Sequence, residues 1–418
     1  MPLVVMSLLD SPSLQRRAAQ ASVAANRYEP EAPARIEVPP AAARIRVGYF
    51  SADFHGHPVA VLSARMFELH DRDHFEVFAF SFGPDIDDPM RRRLRSAFEH
   101  FVDVRRNTEE EIARLARGAG LDIAVDLLGF TARQRPGIFG RRAAPVQVSY
   151  LGYAGSLGAN FMDYLVADRI VIPECSRGEY AEKIVHLPHC FQVNDDTRAI
   201  AERPFARGEL GLPDDAFVFC CFNNIYKIQP AIFGSWMRIL RRVPGSVLWL
   251  AQSNERAEAN LRGEAVRQGI DAARLIFAPR MPRMEEHLAR HRAADLFLDT
   301  LPFNAHTTAS DALWAGLPLL TMAGHSYAGR VAASLLHTLG LEELITRSPE
   351  DYEKVAVSLA GDRPRLEDIR ARLERARLTA PLFDTEGFTR AMESAYRTMV
   401  ERCRAGLAPD HLEIAAGT

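Results

Sequence analysis

Cysteine is scarce in this chain: five residues in 418, at positions 175, 190, 220, 221 and 403, with no CxxC pair and no metal-ligand spacing. That scatter excludes a disulfide framework or a zinc ribbon and fits a reducing compartment, so the expectation is a cytoplasmic protein without a metal. No run of about 20 apolar residues occurs, which excludes a membrane-spanning helix. The start, MPLVVMSLLDSP, lacks a basic n-region, and Asp10 breaks its apolar run, so it does not read as a secretory signal. Neither sign of charge dominates: 51 Lys+Arg stand against 54 Asp+Glu, a formal net charge of -3. A general nucleic-acid binder would carry a basic excess, and the local RRRLRS run (91–96) reads as a solvated helix face. Also missing are GxGxxG after the first strand, GxxxxGK(S/T), HExxH and GxSxG. Dinucleotide, P-loop, zincin and α/β-hydrolase readings thereby lose their main support.

What the chain does have is 47% hydrophobic and 25% charged residues over a length that suits two domains. Residues 7–26 predict one alanine-rich helix starting at Asp10 or Ser11, an appendage followed by the Pro/Ala connector EPEAPARIEVPPAAAR (29–44). From Arg44 short apolar strands alternate with amphipathic helices. The first series is 44–51, 75–82, 123–130, 146–153 and 164–172, and KIVHLPHCFQVNDD (183–196) closes it. The second is 217–224, 246–253, 274–280, 296–302, 318–324 and 343–348, and residues 350–404 are helical. Strands alternating with helices predict mostly parallel sheets covered on both faces. The expected organisation is an N-terminal helix and linker (1–43), two facing doubly wound α/β lobes (44–200 and 201–405, the second carrying the closing helices) and a tail (406–418).

In such sheets ligands bind beyond the carboxyl ends of the strands, where helix N-termini offer free N–H groups. Three stretches of the second lobe lie there. The first is FNAHTTASDALWAG (303–316), which follows an apolar run ending in aspartate, LFLDTLP. A helix starting near Thr307 would put its first amides and the hydroxyls of Thr307 and Thr308 around an anion, with Asp311 one turn on for a sugar hydroxyl pair; plain N-capping is the alternative. In the second, FNNIYK, Lys227 can neutralise a diphosphate and Asn224 can add a neutral donor, or Lys227 is simply exposed. In the third, His287 and Arg290 stand i, i+3 in MEEHLARHR, suited to stacking a flat base or to a solvated face. In the first lobe, His57 sits in the first βα loop, where a neutral imidazole could take or orient a hydroxyl proton, or cap the next helix. The glycines of LGYAGSLGAN (151–160) allow close backbone approach.

Assembled in order, these segments resemble the catalytic region of O-linked N-acetylglucosamine transferases and their bacterial SPINDLY-type relatives, over about residues 44–405. The matching runs are RVGYFSADFHGHP, APVQVSYLGYAGSLGANFMDYLVAD, EKIVHLPH, CFNNIYKIQP, VPGSVLWL, EEHLARHRAADLFLDTLPFNAHTTASDALWAGLPLLTMAG, RVAASLL and APLFDTEGF. The resemblance implies a glycosyltransferase-B architecture with UDP-N-acetylglucosamine as donor, a protein Ser or Thr hydroxyl as acceptor, and inversion at the anomeric carbon without a cofactor. It assigns Lys227, Asn224, Thr307 and Thr308 to the diphosphate, Asp311 to the ribose, and His287 and Arg290 to the uracil. His306, Leu151 and Gly152 fall to the sugar, and His57 to the base or acceptor-orienting role. The chain departs from the family in having one predicted helix before Arg44 in place of a tetratricopeptide array, no insertion between the lobes, Met284 at a ribose-contacting lysine position, and Phe303 near the sugar. Plant members that use GDP-fucose, a class that glycosylates asparagine, and an inactive sugar-nucleotide-binding module are the competing implications.

Overall fold

The computed structural model describes residues 1–28 and 43–416. It divides into two compact units, Met1–Asp196 together with Pro381–Thr418, and Thr197–Ala380. The connector expected at 29–44 falls almost wholly outside the described residues. Among those residues no helix is long and apolar enough to cross a membrane.

The first unit is built on parallel strands β1 (Ile45–Ser51), β2 (Phe75–Ser81), β3 (His100–Asp103), β4 (Ile123–Asp126), β5 (Val146–Ser149), β6 (Tyr164–Ala167) and β7 (Lys183–His186). Their spatial order is β3-β2-β1-β4-β5-β6-β7, reversing direction between β1 and β4. Strands β4, β5 and β6 are buried throughout and β1 from Val47 on, as helices on both faces of a parallel sheet require. The second unit holds β8 (Val218–Cys221), β9 (Val247–Ala251), β10 (Leu275–Ala278), β11 (Leu296–Leu298), β12 (Leu319–Met322) and β13 (Ile345–Thr346), all parallel. Their order is β10-β9-β8-β11-β12-β13, a doubly wound sheet whose order reverses between β8 and β11.

Three expectations need correcting. The predicted single N-terminal helix is two, Pro2–Leu8 and Pro12–Asn26, because Ser11 precedes a proline and takes the extended conformation that caps the second. The pair is not an appendage: Met6 and Ala19 are fully buried, Arg16 Nη1 donates to the Gly178 carbonyl at 3.0 Å, and a Cβ on Gly158 (φ +63°) would lie 2.8 Å from Gln20 N. Strands β3, β7 and β14 (Leu412–Glu413) were not expected as strands, being two to four residues long and, in β3 and β14, partly exposed at the sheet edges.

The third correction concerns the closing helices. Residues 381–405 belong to the first unit, not to the second lobe, and the first crossing falls at 196/197 instead of 200/201. The helix Thr385–Arg404 buries Met392, Tyr396 and Met399, and the Tyr396 hydroxyl lies 3.1 Å from that of Tyr49 on β1. Glu393 accepts from Asp71 N at 2.8 Å and pairs with His70 Nδ1 at 3.1 Å. The expected tail then pairs β14 with β7. Both chain crossings are tied together inside this unit: Asn194 Nδ2 donates to the Leu382 carbonyl at 3.2 Å, Thr385 Oγ1 to the Asn194 carbonyl at 2.6 Å, and Asp196 N to Thr385 Oγ1 at 3.1 Å.

Candidate functional site

The carboxyl ends of β8 and β11, where the second sheet changes direction, carry most of the candidate residues. After β8 the chain makes a 3-10 turn, Ile225–Lys227, that carries Lys227 inward. Lys227 is 8% exposed; its Nζ donates to the Asn304 carbonyl at 2.7 Å and lies 3.8 Å from the centre of the Phe303 ring. Lys227 is therefore a buried cation, not the exposed lysine of the alternative reading. Burial pushes its pKa down to about 8 against the opposing charge of Asp299, so the ammonium persists at neutral pH.

Asp299, which sequence reasoning noticed as a strand end but gave no role, holds the loop that follows. Its Oδ1 accepts from Thr300 N at 2.7 Å and Ala305 N at 2.6 Å, and its Oδ2 from Thr321 Oγ1 at 2.7 Å. Burial raises the carboxyl to about 6 in spite of these donors and of Lys227, leaving it ionised at pH 7. Asn223, also unassigned from sequence, is buried and donates to Thr300 Oγ1 at 2.7 Å and to Asp299 Oδ1 at 3.3 Å. Its neighbour Asn224, the sequence candidate, is exposed and caps the 3-10 turn without a side-chain hydrogen bond. The turn directs the first asparagine into the network and the second toward solvent.

The helix Thr307–Trp314 begins where expected. Its N-cap is His306, whose side chain does not cap, and the His306 carbonyl takes Ala309 N and Ser310 N. The amides of Thr307 and Thr308 thus stand at the helix start with no carbonyl one turn back to bond. The Thr308 hydroxyl is not part of an open cradle, because it donates to Asn223 Oδ1. Thr307 is half-buried. The His306 ring lies 4.9 Å from that of Phe303, with Nε2 3.4 Å from the Ala328 carbonyl. Burial and then Lys227 keep it neutral, well below the ordinary range.

One turn further, Asp311 is 4% exposed and already engaged. Arg198 Nη1 donates to its Oδ1 at 2.6 Å, while His287 Nε2 lies 3.7 Å from Oδ2. Burial works to raise the carboxyl, but the nearby His287 imidazole and the Arg198 charge outweigh it and hold Asp311 below its usual range. Arg198 was missed from sequence, being 113 positions away. Of the expected stacking pair, His287 is half-buried with its ring 6.0 Å from that of Phe222. Arg290 does not present an open face beside it: it lies 4.3 Å above the Phe222 ring and donates to the Pro279 carbonyl at 2.6 Å. Burial lowers Arg290 to about 10. His291 is fully buried, its Nδ1 2.8 Å from the His287 carbonyl, and burial holds it near 3.

In the first unit, His57 follows β1 and caps the helix Pro58–Leu69, its Nδ1 3.4 Å from Val59 N and 3.3 Å from Asp53 Oδ2. Burial, then His55 and Arg133, lowers His57 to about 4, so the imidazole is neutral across the physiological range. Asp53 is raised to about 6 by burial against the Arg133 charge. Leu151 follows β5 in the left-handed region, φ 68°. A Cβ on Gly152 would lie 2.0 Å from the Leu127 carbonyl oxygen, so its missing side chain makes room for the protein's own backbone. Among the described residues no three His, Cys, Asp or Glu side chains are grouped as a metal site.

The family described as glycosyl transferase family 41 matches residues 30–203 and 204–392. A probable UDP-N-acetylglucosamine–peptide N-acetylglucosaminyltransferase of Arabidopsis thaliana is 39% identical over 378 residues, 89% of this chain and 38% of that protein. The UDP-N-acetylglucosamine–peptide N-acetylglucosaminyltransferase of Caenorhabditis elegans is 29% identical over 485 residues, 88% of this chain and 42% of that protein. A solved mutant of the Thermobaculum terrenum O-GlcNAc transferase superposes with a TM-score of 0.85 at 33% identity, covering 95% of this chain and 75% of that one. The chain spans about two fifths of the length of the two curated relatives.

Proposed function

Because the chain belongs to glycosyl transferase family 41, we propose that it moves N-acetylglucosamine from UDP-N-acetylglucosamine to Ser or Thr hydroxyls of proteins. The observation that carries this reading is the placement of Lys227. Its ammonium bonds the Asn304 carbonyl in the loop that leads directly into the helix Thr307–Trp314, at the point where the second sheet reverses. A fixed cation and the free first-turn amides of Thr307 and Thr308 then converge where a leaving diphosphate gathers charge.

Displacement at the anomeric carbon drives negative charge onto that diphosphate. Preorganised donors in a water-poor site stabilise such charge strongly, and losing one donor typically costs about 3–4 kcal/mol. The carboxylate of Asp311 would take ribose hydroxyls, and His287 with the Phe222–Arg290 stack would meet the base. His306, neutral and half-buried, would donate to the sugar. His57, neutral above about pH 4, would accept the proton of the incoming hydroxyl, and attack opposite the diphosphate inverts the anomeric configuration. Leu151 and Gly152 would contact the sugar in this reading, and Lys227 with the first-turn amides would stabilise the diphosphate charge without a cofactor. Five free cysteines, two of them adjacent in β8, fit a cytoplasmic location.

The test is a donor screen with a peptide library, read by mass spectrometry for the mass added and the residue carrying it. An added N-acetylhexosamine on Ser or Thr, with thermal stabilisation by UDP exceeding that by GDP, is the expected outcome. Preferential GDP stabilisation with a deoxyhexose added would overturn the donor. Absence of transfer, donor hydrolysis and nucleotide stabilisation would overturn the enzyme reading.

A further inference from the structure

The geometry points to Arg198 as a positioning residue for donor binding, one that fixes the Asp311 carboxylate so that it can recognise the ribose hydroxyls of a nucleoside diphosphate. This rests on the reading of Asp311 as the ribose acceptor. Arg198 is the second residue of the unit Thr197–Ala380, and it grips a single helix twice. Its Nη1 bonds Asp311 Oδ1 at 2.6 Å, and its carbonyl accepts from Trp314 Nε1 at 3.1 Å. The guanidinium is itself held against the Trp314 ring, 5.8 Å from the centroid, while Arg377 stands 5.5 Å from the same ring and donates to the Trp314 carbonyl at 3.3 Å.

Burial decides what this contact is for. The Arg198 and Asp311 side chains are 5% and 6% exposed. A buried ion pair is weak evidence for stability, since desolvation offsets most of the attraction. It does keep a buried carboxylate ionised and aimed. Asp311 is otherwise faced by His287 and His291, with Arg290 beyond them, and none of these bonds Oδ1. With Oδ1 anchored by Arg198, Oδ2 and the remaining lone pairs keep a fixed direction for a hydroxyl pair. Without the guanidinium the carboxylate can turn toward His287, and burial favours its protonated form, which accepts hydrogen bonds poorly.

The experiment is calorimetric binding of UDP and of 2′-deoxyuridine diphosphate to the full chain and to Arg198→Met, Arg198→Lys, Asp311→Asn and the Met/Asn double variant. Wild type should prefer UDP by about tenfold or more, the discrimination expected of a hydrogen bond to a charged group. Arg198→Met should lose about tenfold in UDP affinity and most of that preference. Arg198→Lys should recover part of both, and the double variant should bind no more weakly than Asp311→Asn alone. Arg198→Met should also make UDP affinity fall more steeply than in wild type as pH drops from 7 to 5; a purely structural role would leave the two profiles parallel. Should Arg198→Met fail to fold, Arg198→Gln, which keeps a donor without the charge, should show the same acid-sensitive loss. If Asp311→Asn loses the preference while the Arg198 variants keep full affinity, preference and the wild-type pH profile, the Arg198 role is overturned and the ribose reading survives. If wild type and Asp311→Asn bind both nucleotides alike, the ribose reading falls, and this proposal with it.

Discussion

At the carboxyl edge of the second sheet Lys227, Asp299 and Asp311 are buried against named partners, whereas at the same edge of the first sheet His57 is half-buried, its two nearest partners at 3.3 and 3.4 Å. The topologies are nearly the same, with the strand order reversing between β1 and β4 in one and between β8 and β11 in the other. The difference is in how tightly polar groups are committed. A charge that must stand ready before a diphosphate arrives has to be held in place by protein, because in a low-dielectric setting a wandering cation would neutralise instead. A proton acceptor has to exchange partners with an incoming hydroxyl, and long, shared contacts permit that.

Breaking the committed side should have the largest effect. Lys227→Ala should lower donor hydrolysis and transfer by about 10²–10³-fold, the range for deleting a preorganised oxyanion donor, with circular dichroism confirming the fold. Asp299→Asn removes the counter-charge and should cost about 3 kcal/mol of stability in denaturant titration, as breaking one half of a buried pair does. It should also sharpen the alkaline limb of activity. Wild type should fade above about pH 8 as Lys227 loses its proton, and the variant should fade at lower pH, since a lysine without its anionic neighbour releases its proton more readily.

The loosely held side should respond more gently. Asp53→Asn should lower kcat/KM by about tenfold, the scale of losing one hydrogen bond to a charged group, and should abolish an acid limb near pH 6. Its effect on stability has the opposite sign. The folded carboxyl sits near 6, above its ordinary 3.8, so the folded state binds more protons than the unfolded one between those values. Asp53 therefore costs stability once pH rises through that window, and the variant should melt higher at pH 7. The smallest contrast lies between two adjacent asparagines. Asn223→Ala should cost about 1–3 kcal/mol because Thr308 and Thr300 lose a buried partner, whereas Asn224→Ala should stay within about 0.5 kcal/mol.

That pair marks how far the sequence could be read. Long apolar runs announced β1, β2 and all six strands of the second sheet, and strand-end reasoning singled out Lys227, Thr307, Asp311 and His57, while His306 entered only through the family resemblance. Residue type could not say which asparagine of a tight turn faces inward. Nor could it pair Arg198 with Asp311, which lie 113 positions apart, or recognise Asp299 as the counter-charge of a lysine that follows a different strand. The sequence marked residues 350–404 as helical, but not which body the helix Thr385–Arg404 covers. His70 and Tyr49, far upstream, decide that.

The two crossings bound together through Asn194, Leu382 and Thr385 make Thr197–Ala380 an insertion within a discontinuous body. During synthesis the interior segment is complete while its host still lacks a helix and an edge strand. Trimming the chain from its carboxyl end therefore wounds the first unit before the second: a shortened protein ending near Ala380 would keep the segment that carries Lys227 and Asp311 whole, while the unit that carries His57 loses its closing helix.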